Sequence, residues 1–349
     1  MKGKGKIFRC CLVILFPLTA AAQQMQVKLL SRVPLFDSTA LFASCHASTI
    51  VSLNNNRLLC AWFGGSAEGN PDVAIWSSAK ENGQWSAPRK LADGRYSDGK
   101  NYPCWNPVLF RVSAHTVYLF YKVGPNPREW WGMYKISQDN GTTWSEAVRL
   151  PDGFLGPVRN KPLLLENGTI LYPSSTESAN GRWQIQMECS DTLLRQWHKQ
   201  DIVAPGIDAI QPAILKHPGG KLQILCRSKQ NVITEAFSAD SGKKWSAMKA
   251  TKMPNPNAGI DAVSVNNHLH LLVYNPLTAG KEWWEGRSVL KLAFSENGED
   301  WKDIYTIEDH VSGEYSYPAI IADKEGVIHI TYTDRRKTIR YLSLQLTEK

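Results

Sequence analysis

After residue 22 the chain has no run near the roughly 18 apolar residues that a membrane-crossing helix requires, so no membrane span is expected. It has no block of Lys and Arg either; basic residues alternate with acids, which removes nucleic acid from the expected partners. Paired-cysteine spacings are missing. Cys45, Cys60, Cys104, Cys189 and Cys226 form an odd set without CxxC spacing, which gives neither a disulfide framework nor a zinc site. Cys60 and Cys226 sit inside the apolar runs LLCAW and ILCRS and read as buried thiols, while a Cys45–Cys104 pairing stays open. His268 and His270 are separated by one residue and lack a third partner, so no metal site is expected, and no sequence feature calls for a cofactor. Gly (25) and Pro (19) are near average, which excludes collagen-like and low-complexity chains.

What the chain does have is aromatic and hydrophobic material. Its 349 residues are 43% hydrophobic with 13 Trp, 12 Tyr and 10 Phe, enough for a large core and suggestive of a β-rich or carbohydrate-facing protein. Residues 1–22 combine a basic start (Lys2, Lys4, Lys6, Arg9), the apolar run Cys11 to Phe16 and the small residues Ala20, Ala21 and Ala22. These are the parts of a cleaved secretory signal, so a secreted or periplasmic protein is expected. Four of the forty Lys and Arg and none of the acids lie in that segment, which takes the net charge from +8 to +4.

One pattern occurs six times: a strand opening on polar residues, a turn built on Gly or Asn, then an apolar strand. The copies are CHASTIVSLNNNRLLCAWF, CWNPVLFRVSAHTVYLFYK, NKPLLLENGTILYPSS, IQPAILKHPGGKLQILCRS, IDAVSVNNHLHLLVYN and YSYPAIIADKEGVIHITYT. They open at His46, Asn106, Lys161, Gln211, Asp261 and Tyr317, so the period is roughly 50 to 60 residues. Alternating apolar runs joined by ENG or PGG turns are antiparallel hairpins. Four short strands at this period make a propeller blade. The chain is therefore expected to be all-β, a single six-bladed β-propeller over residues 23–349. The sixth unit ends at IRYLSLQL without a fourth strand, which MQVKLLSRVPLF near the start can supply, removing the open edges. Few free edges make a monomer the expected state.

After five of the hairpins comes a third strand and a turn ending in Trp: SSAKENGQW, SQDNGTTW, SDTLLRQW, SADSGKKW and SENGEDW. In the second and fourth, Asp139 or Asp240 can bond the turn backbone, Gly141 or Gly242 can take positive φ, and Trp144 or Trp245 can wedge between sheets. These Asp boxes are read as structural. Two loops mirror each other, Arg128-Glu129-Trp130-Trp131 and Lys281-Glu282-Trp283-Trp284. Each Trp pair is expected to hold one buried ring and one exposed ring able to stack on a sugar.

Asp boxes on six blades resemble the sialidase (neuraminidase) superfamily over nearly the whole chain after residue 22. That resemblance implies three Arg holding a substrate carboxylate, a Tyr nucleophile assisted by a Glu, and a loop Asp as acid/base. ILCRSKQNVITEAFSADSGKKW is similar to the stretch with the second Arg, implying Arg227, and GRSVLKLAFSENGEDW to that with the third, implying Arg287. GEYSYPAIIADKEGVIHITYT resembles the nucleophile strand and implies Tyr315. EGNPDVAIWSS resembles the acid loop and implies Asp72, with Glu68 its substitute. The chain departs from the pattern twice, with His46 where the first Arg stands and Gln211 where the assisting Glu stands.

Two Arg still suit a carboxylate, so an anionic glycan is the expected ligand. His46 is either a hydrogen-bonded residue lining the channel or, placed beside Tyr315, a group that titrates near neutral pH and moves protons. Asn106, Lys161 and Asp261 open inner strands and should face the central funnel as sugar contacts or as plain channel lining. Three readings follow: a glycoside hydrolase removing a terminal sialic-acid-like or uronic sugar, a uronate-directed lyase using His and Tyr, or a glycan-binding propeller without catalysis.

Overall fold

The computed structural model describes residues 25–37 and 41–348; the expected secretory signal, residues 1–22, lies outside them. Apart from one 3-10 turn at Pro218–Gly220, the regular elements are strands, arranged as six antiparallel sheets in a ring. The chain forms a six-bladed propeller.

From the inside outward, blade 1 is Ser44–Ser52, Leu58–Gly65 and Ala74–Glu81, with Gln84–Trp85 and Arg89–Ala92 both on its outer edge. Blades 2 to 5 begin with Cys104–Arg111, Leu163–Leu164, Ala209–Lys216 and Asp261–Asn266 and add three strands outward in sequence order. Blade 6 is Tyr315–Ala322, Val327–Asp334 and Thr338–Glu348, completed by Met25–Pro34, which pairs antiparallel from Met25↔Glu348 to Pro34↔Arg340. The alternating apolar residues of neighbouring sheets meet face to face, and each junction holds its own buried cluster. Between blades 2 and 3, for example, Val108, Tyr118 and Phe120 pack on Ile170 and Tyr172.

The inner strands share an irregularity that builds the site. Pairing slips between His46 and Thr49, Trp105 and Val108, Ile210 and Ala213, and Ser316 and Ala319. Within each slip one residue has positive φ: Ala47 (53°), Asn106 (42°), Gln211 (59°) and Tyr317 (52°). Arg159 (78°) stands just before the short inner strand of blade 3. L-residues avoid this region at a cost of about 1 kcal/mol or more, and three of these precede Pro, which normally imposes an extended conformation. A bulge re-aims a side chain, and here bulges recur at one level of the ring.

Candidate functional site

Tyr317 is the centre of the funnel. Its ring is 9% exposed, and three guanidinium carbons stand around it: Arg159 at 5.3 Å, Arg227 at 5.4 Å and Arg287 at 5.9 Å from the centroid. These come from blades 3, 4 and 5. The His46 ring of blade 1 lies 4.1 Å from the same centroid. Gly259 leaves room for the group: a methyl at that position would sit 3.1 Å from both the Tyr317 ring and Arg159 Nε.

Each Arg is fixed by part of its fork. Arg159 donates to Asn160 Oδ1 (2.5 Å) and to the Pro318 carbonyl, Arg227 donates to the Asn257 carbonyl (2.7 Å), and Arg287 donates to Glu314 Oε1 (3.0 Å). The Nε of all three is buried without a partner. Burial lowers the Arg159 pKa to about 10 and pulls Arg227 down as well. Such donors are costly unless something accepts from them. Above the ring, Arg227 stacks on Trp183 (5.4 Å) and Arg287 on Trp283 (5.4 Å).

A fourth cation belongs to the same cluster. Arg336, on the turn between Val327–Asp334 and Thr338–Glu348, is anchored by its carbonyl to Cys45 N (2.9 Å). Its guanidinium pairs with Glu68 and with Glu314 (2.8 Å) and lies 4.9 Å from the Trp283 centroid. Burial together with Arg336, Arg287, Arg159 and Arg227 pushes the His46 imidazole well below its ordinary value, and both ring nitrogens lack partners. His46 therefore stays neutral at physiological pH, in contrast to the neutral-range titration given by one of its two readings from sequence. Burial pushes the neighbouring Cys45 thiol up to about 12, which makes it inert, and all five described Cys are free thiols.

The residues expected from sequence divide into three groups. Arg227, Arg287, His46 and Gln211 are at or beside the centre; Gln211 is buried with its Oε1 unpartnered, and its carbonyl accepts from Asn160 Nδ2 at 2.9 Å. Asn106 occupies the equivalent bulge of blade 2 and is buried. Lys161 and Asp261 bond one another across the channel (2.7 and 2.8 Å), and Asp261 also accepts from Ile320 N (2.9 Å), so this pair ties blades 3, 5 and 6 together as channel lining.

Tyr315 and Asp72 are placed elsewhere. Tyr315 packs into the cluster between blades 5 and 6 and stacks on His310 at 4.3 Å, because strand alternation sends it to the sheet face while the bulge sends Tyr317 inward. Asp72 accepts from Ser66 N and Ser66 Oγ (both 2.7 Å) and so closes its own loop, while Glu68 of that loop reaches Arg336. The Trp pairs also differ from expectation. Trp283 (55%) and Trp284 (41%) are both exposed, while Trp130 and Trp131 are both half-buried, because Trp283 covers Arg287 and Arg336 and Trp130 packs edge-on against Trp105. Arg159, Arg336 and Tyr317 were missed as site residues. The signal for Tyr317 was its Pro, shared with Asn106-Pro107 and Gln211-Pro212.

Residues 56–330 match the family described as BNR repeat-like domain. No curated protein sequence matches the chain. Among solved structures, a protein of unknown function from Dyadobacter fermentans superposes with a TM-score of 0.74 at 13% identity, covering 92% of this chain and 99% of the other. The Hadza microbial sialidase Hz136 gives 0.74 at 15% identity over 91% of this chain and 68% of its own. The Trypanosoma rangeli sialidase in complex with the inhibitor DANA gives 0.68 at 16%, over 90% and 58%. At these identities the likeness is one of fold.

Proposed function

The chain belongs to the BNR repeat-like domain family, and from that premise we propose that it is an exported glycosidase of the sialidase type, acting on a terminal sugar that carries a carboxylate. The observation that carries this reading is the ring of Arg159, Arg227 and Arg287 around Tyr317, each with a buried, unpartnered Nε. Planar guanidinium groups converging on one point suit a carboxylate.

In the reaction, Tyr317 Oη bonds to the anomeric carbon as the bond to the leaving oxygen breaks. The phenol proton passes to that oxygen, with the Glu68 carboxylate as the relay. Water then bonds to the anomeric carbon as the bond to Tyr317 breaks, and its proton returns to Tyr317 Oη by the same relay. Arg227 and Arg287 are the carboxylate clamp, Arg159 and Arg336 add cationic field, and Gln211 and Asn106 line the sugar. The protein works as a secreted or periplasmic monomer after loss of residues 1–22.

The test is incubation with sialylated and uronate-terminated oligosaccharides, with products weighed by mass spectrometry. Hydrolysis adds one water per cleavage, and Tyr317→Phe should lower the rate by about 10²- to 10⁴-fold. No product from any of these glycans, or an unchanged rate in Tyr317→Phe, overturns the reading. A second reading rests on the contact of neutral His46 with Tyr317: proton abstraction beside a uronate carboxylate, a lyase reaction. Its product is unsaturated, absorbs in the ultraviolet and carries no added water. Binding without product marks a non-catalytic glycan-binding propeller.

A further inference from the structure

Outside the funnel, the edges of blades 1 and 2 enclose a cleft of about 530 Å³, a size typical of small-ligand sites. Its walls are the outer strand Arg89–Ala92 of blade 1 and the strands Trp131–Ser137 and Val148–Arg149 of blade 2, and Tyr121, Val123 and Met133 form an apolar floor. Lys90, Arg95, Lys135 and Arg149 line it, against the carboxylates Asp93 and Glu146.

Two of these cations are held at their charged ends, and a third stands on an ordered hairpin. Arg149 donates to Tyr96 Oη (2.7 Å), pairs with Asp152 (3.0 Å) and lies 5.3 Å from the Trp131 centroid. Lys135 donates to the Leu91 carbonyl at 3.1 Å. Arg95 belongs to a small ordered hairpin, bridged to Asn101 and closed by Tyr102 N to the Gly94 carbonyl (3.0 Å). Among the described residues, Lys90, Arg95 and Lys135 have no carboxylate within ion-pair distance. Four cations lining a depression with two carboxylates leave an excess of positive charge that attracts an anion. The depression continues beside Lys100 and Asn101 to Asp72, at the end of the loop that carries Glu68.

We propose that this cleft binds a negatively charged oligosaccharide through its carboxylate or sulfate groups, holding sugars internal to a chain whose end enters the funnel. Only the position of the chain end rests on the glycosidase reading; the binding does not. The apolar floor takes the C–H face of a sugar ring, and Lys90, Arg95 and Lys135 take its anionic groups.

The test is calorimetric titration of the full protein with tetragalacturonate (carboxylate only), a chondroitin sulfate tetrasaccharide (sulfate and carboxylate) and cellotetraose (neutral), at low and high salt. The expected result is tighter binding of the anionic probes, weakened by salt, and a loss of about tenfold or more in the triple variant Lys90→Gln, Arg95→Gln, Lys135→Gln at an unchanged melting temperature. Preference for chondroitin sulfate over tetragalacturonate assigns the cleft to sulfate, and equal binding to carboxylate. Equal binding of cellotetraose, or an unchanged affinity in the triple variant, overturns the proposal. Cleavage of anionic glycans with the same KM in the triple variant removes the groove and leaves the glycosidase reading. Anionic binding lost in the triple variant, with no glycan cleaved by the wild type, does the reverse.

Discussion

The Asp-box turns and the funnel mouth treat their polar groups in opposite ways. In blade 2, Asp139 accepts from Ser137 Oγ (2.8 Å), Thr142 N (3.1 Å), Thr143 N (2.8 Å) and Thr143 Oγ1 (2.6 Å), and these bonds lower its pKa to about 2. At the mouth, His46 has two unpartnered ring nitrogens, and three Arg each bury one donor unused. A polar atom left unpaired in the interior costs about 1–3 kcal/mol. The turns therefore stabilise the fold, while the unpaired groups at the centre work against it.

The largest break in this contrast should come from the two tyrosines. Tyr317→Phe should lower kcat by about 10²- to 10⁴-fold with the melting temperature intact, whereas Tyr315→Phe should leave kcat essentially unchanged. Equal losses in steady-state kinetics of the two variants would remove the distinction. Next, Arg227→Met should lower kcat/KM by about 10²- to 10³-fold, yet leave thermal stability equal or higher, because a buried guanidinium no longer has to be desolvated. Asp139→Ala should do the reverse, dropping the melting temperature by roughly 2 °C with kcat untouched.

Gly259→Ala should press on both Tyr317 and Arg159, reducing kcat/KM about tenfold and costing about 1–2 kcal/mol in denaturant unfolding. The smallest effects concern pH. Because the Asp139 pKa is depressed when folded, its contribution is complete above the ordinary Asp value of about 4 and fades as pH falls toward 2. Asp139→Asn should flatten that part of the stability curve. His46 is also depressed, so the unfolded chain gains a proton below about 6.5 that the folded chain refuses, and stability should decline as pH drops through that value. A His46→Gln variant whose melting curve keeps the same decline would assign it to other groups.

The architecture was legible because repetition multiplies a weak signal: one ENG turn says little, but six hairpins at a regular period define a ring. The closing role of the N-terminal strand followed from a missing edge. The site was harder to read. For Tyr317 two signals competed, the Tyr-Ser pair of the family and the internal X-Pro repeat, and the repeat marked the residue that reaches the centre. In blade 3 the repeat aligned Lys161, but the inward-turning residue lies two positions earlier, at Arg159, since this inner strand is shortened to Leu163–Leu164. Arg336 left no trace at all, because its place depends on a turn of the last blade folding over the first, a contact between residues far apart in the chain.

Pairing Met25 with Glu348 places the two ends of the fold side by side. As the sheets are concerned, the starting point of the thread is arbitrary: a short linker could join those ends, and the exposed Asn82–Gly83 tip could become the new ones. In such a permutant the final pairing becomes a local hairpin instead of the longest-range contact in the molecule. The rearranged chain should refold faster than the natural one, since the search that now comes last would be among the first to finish.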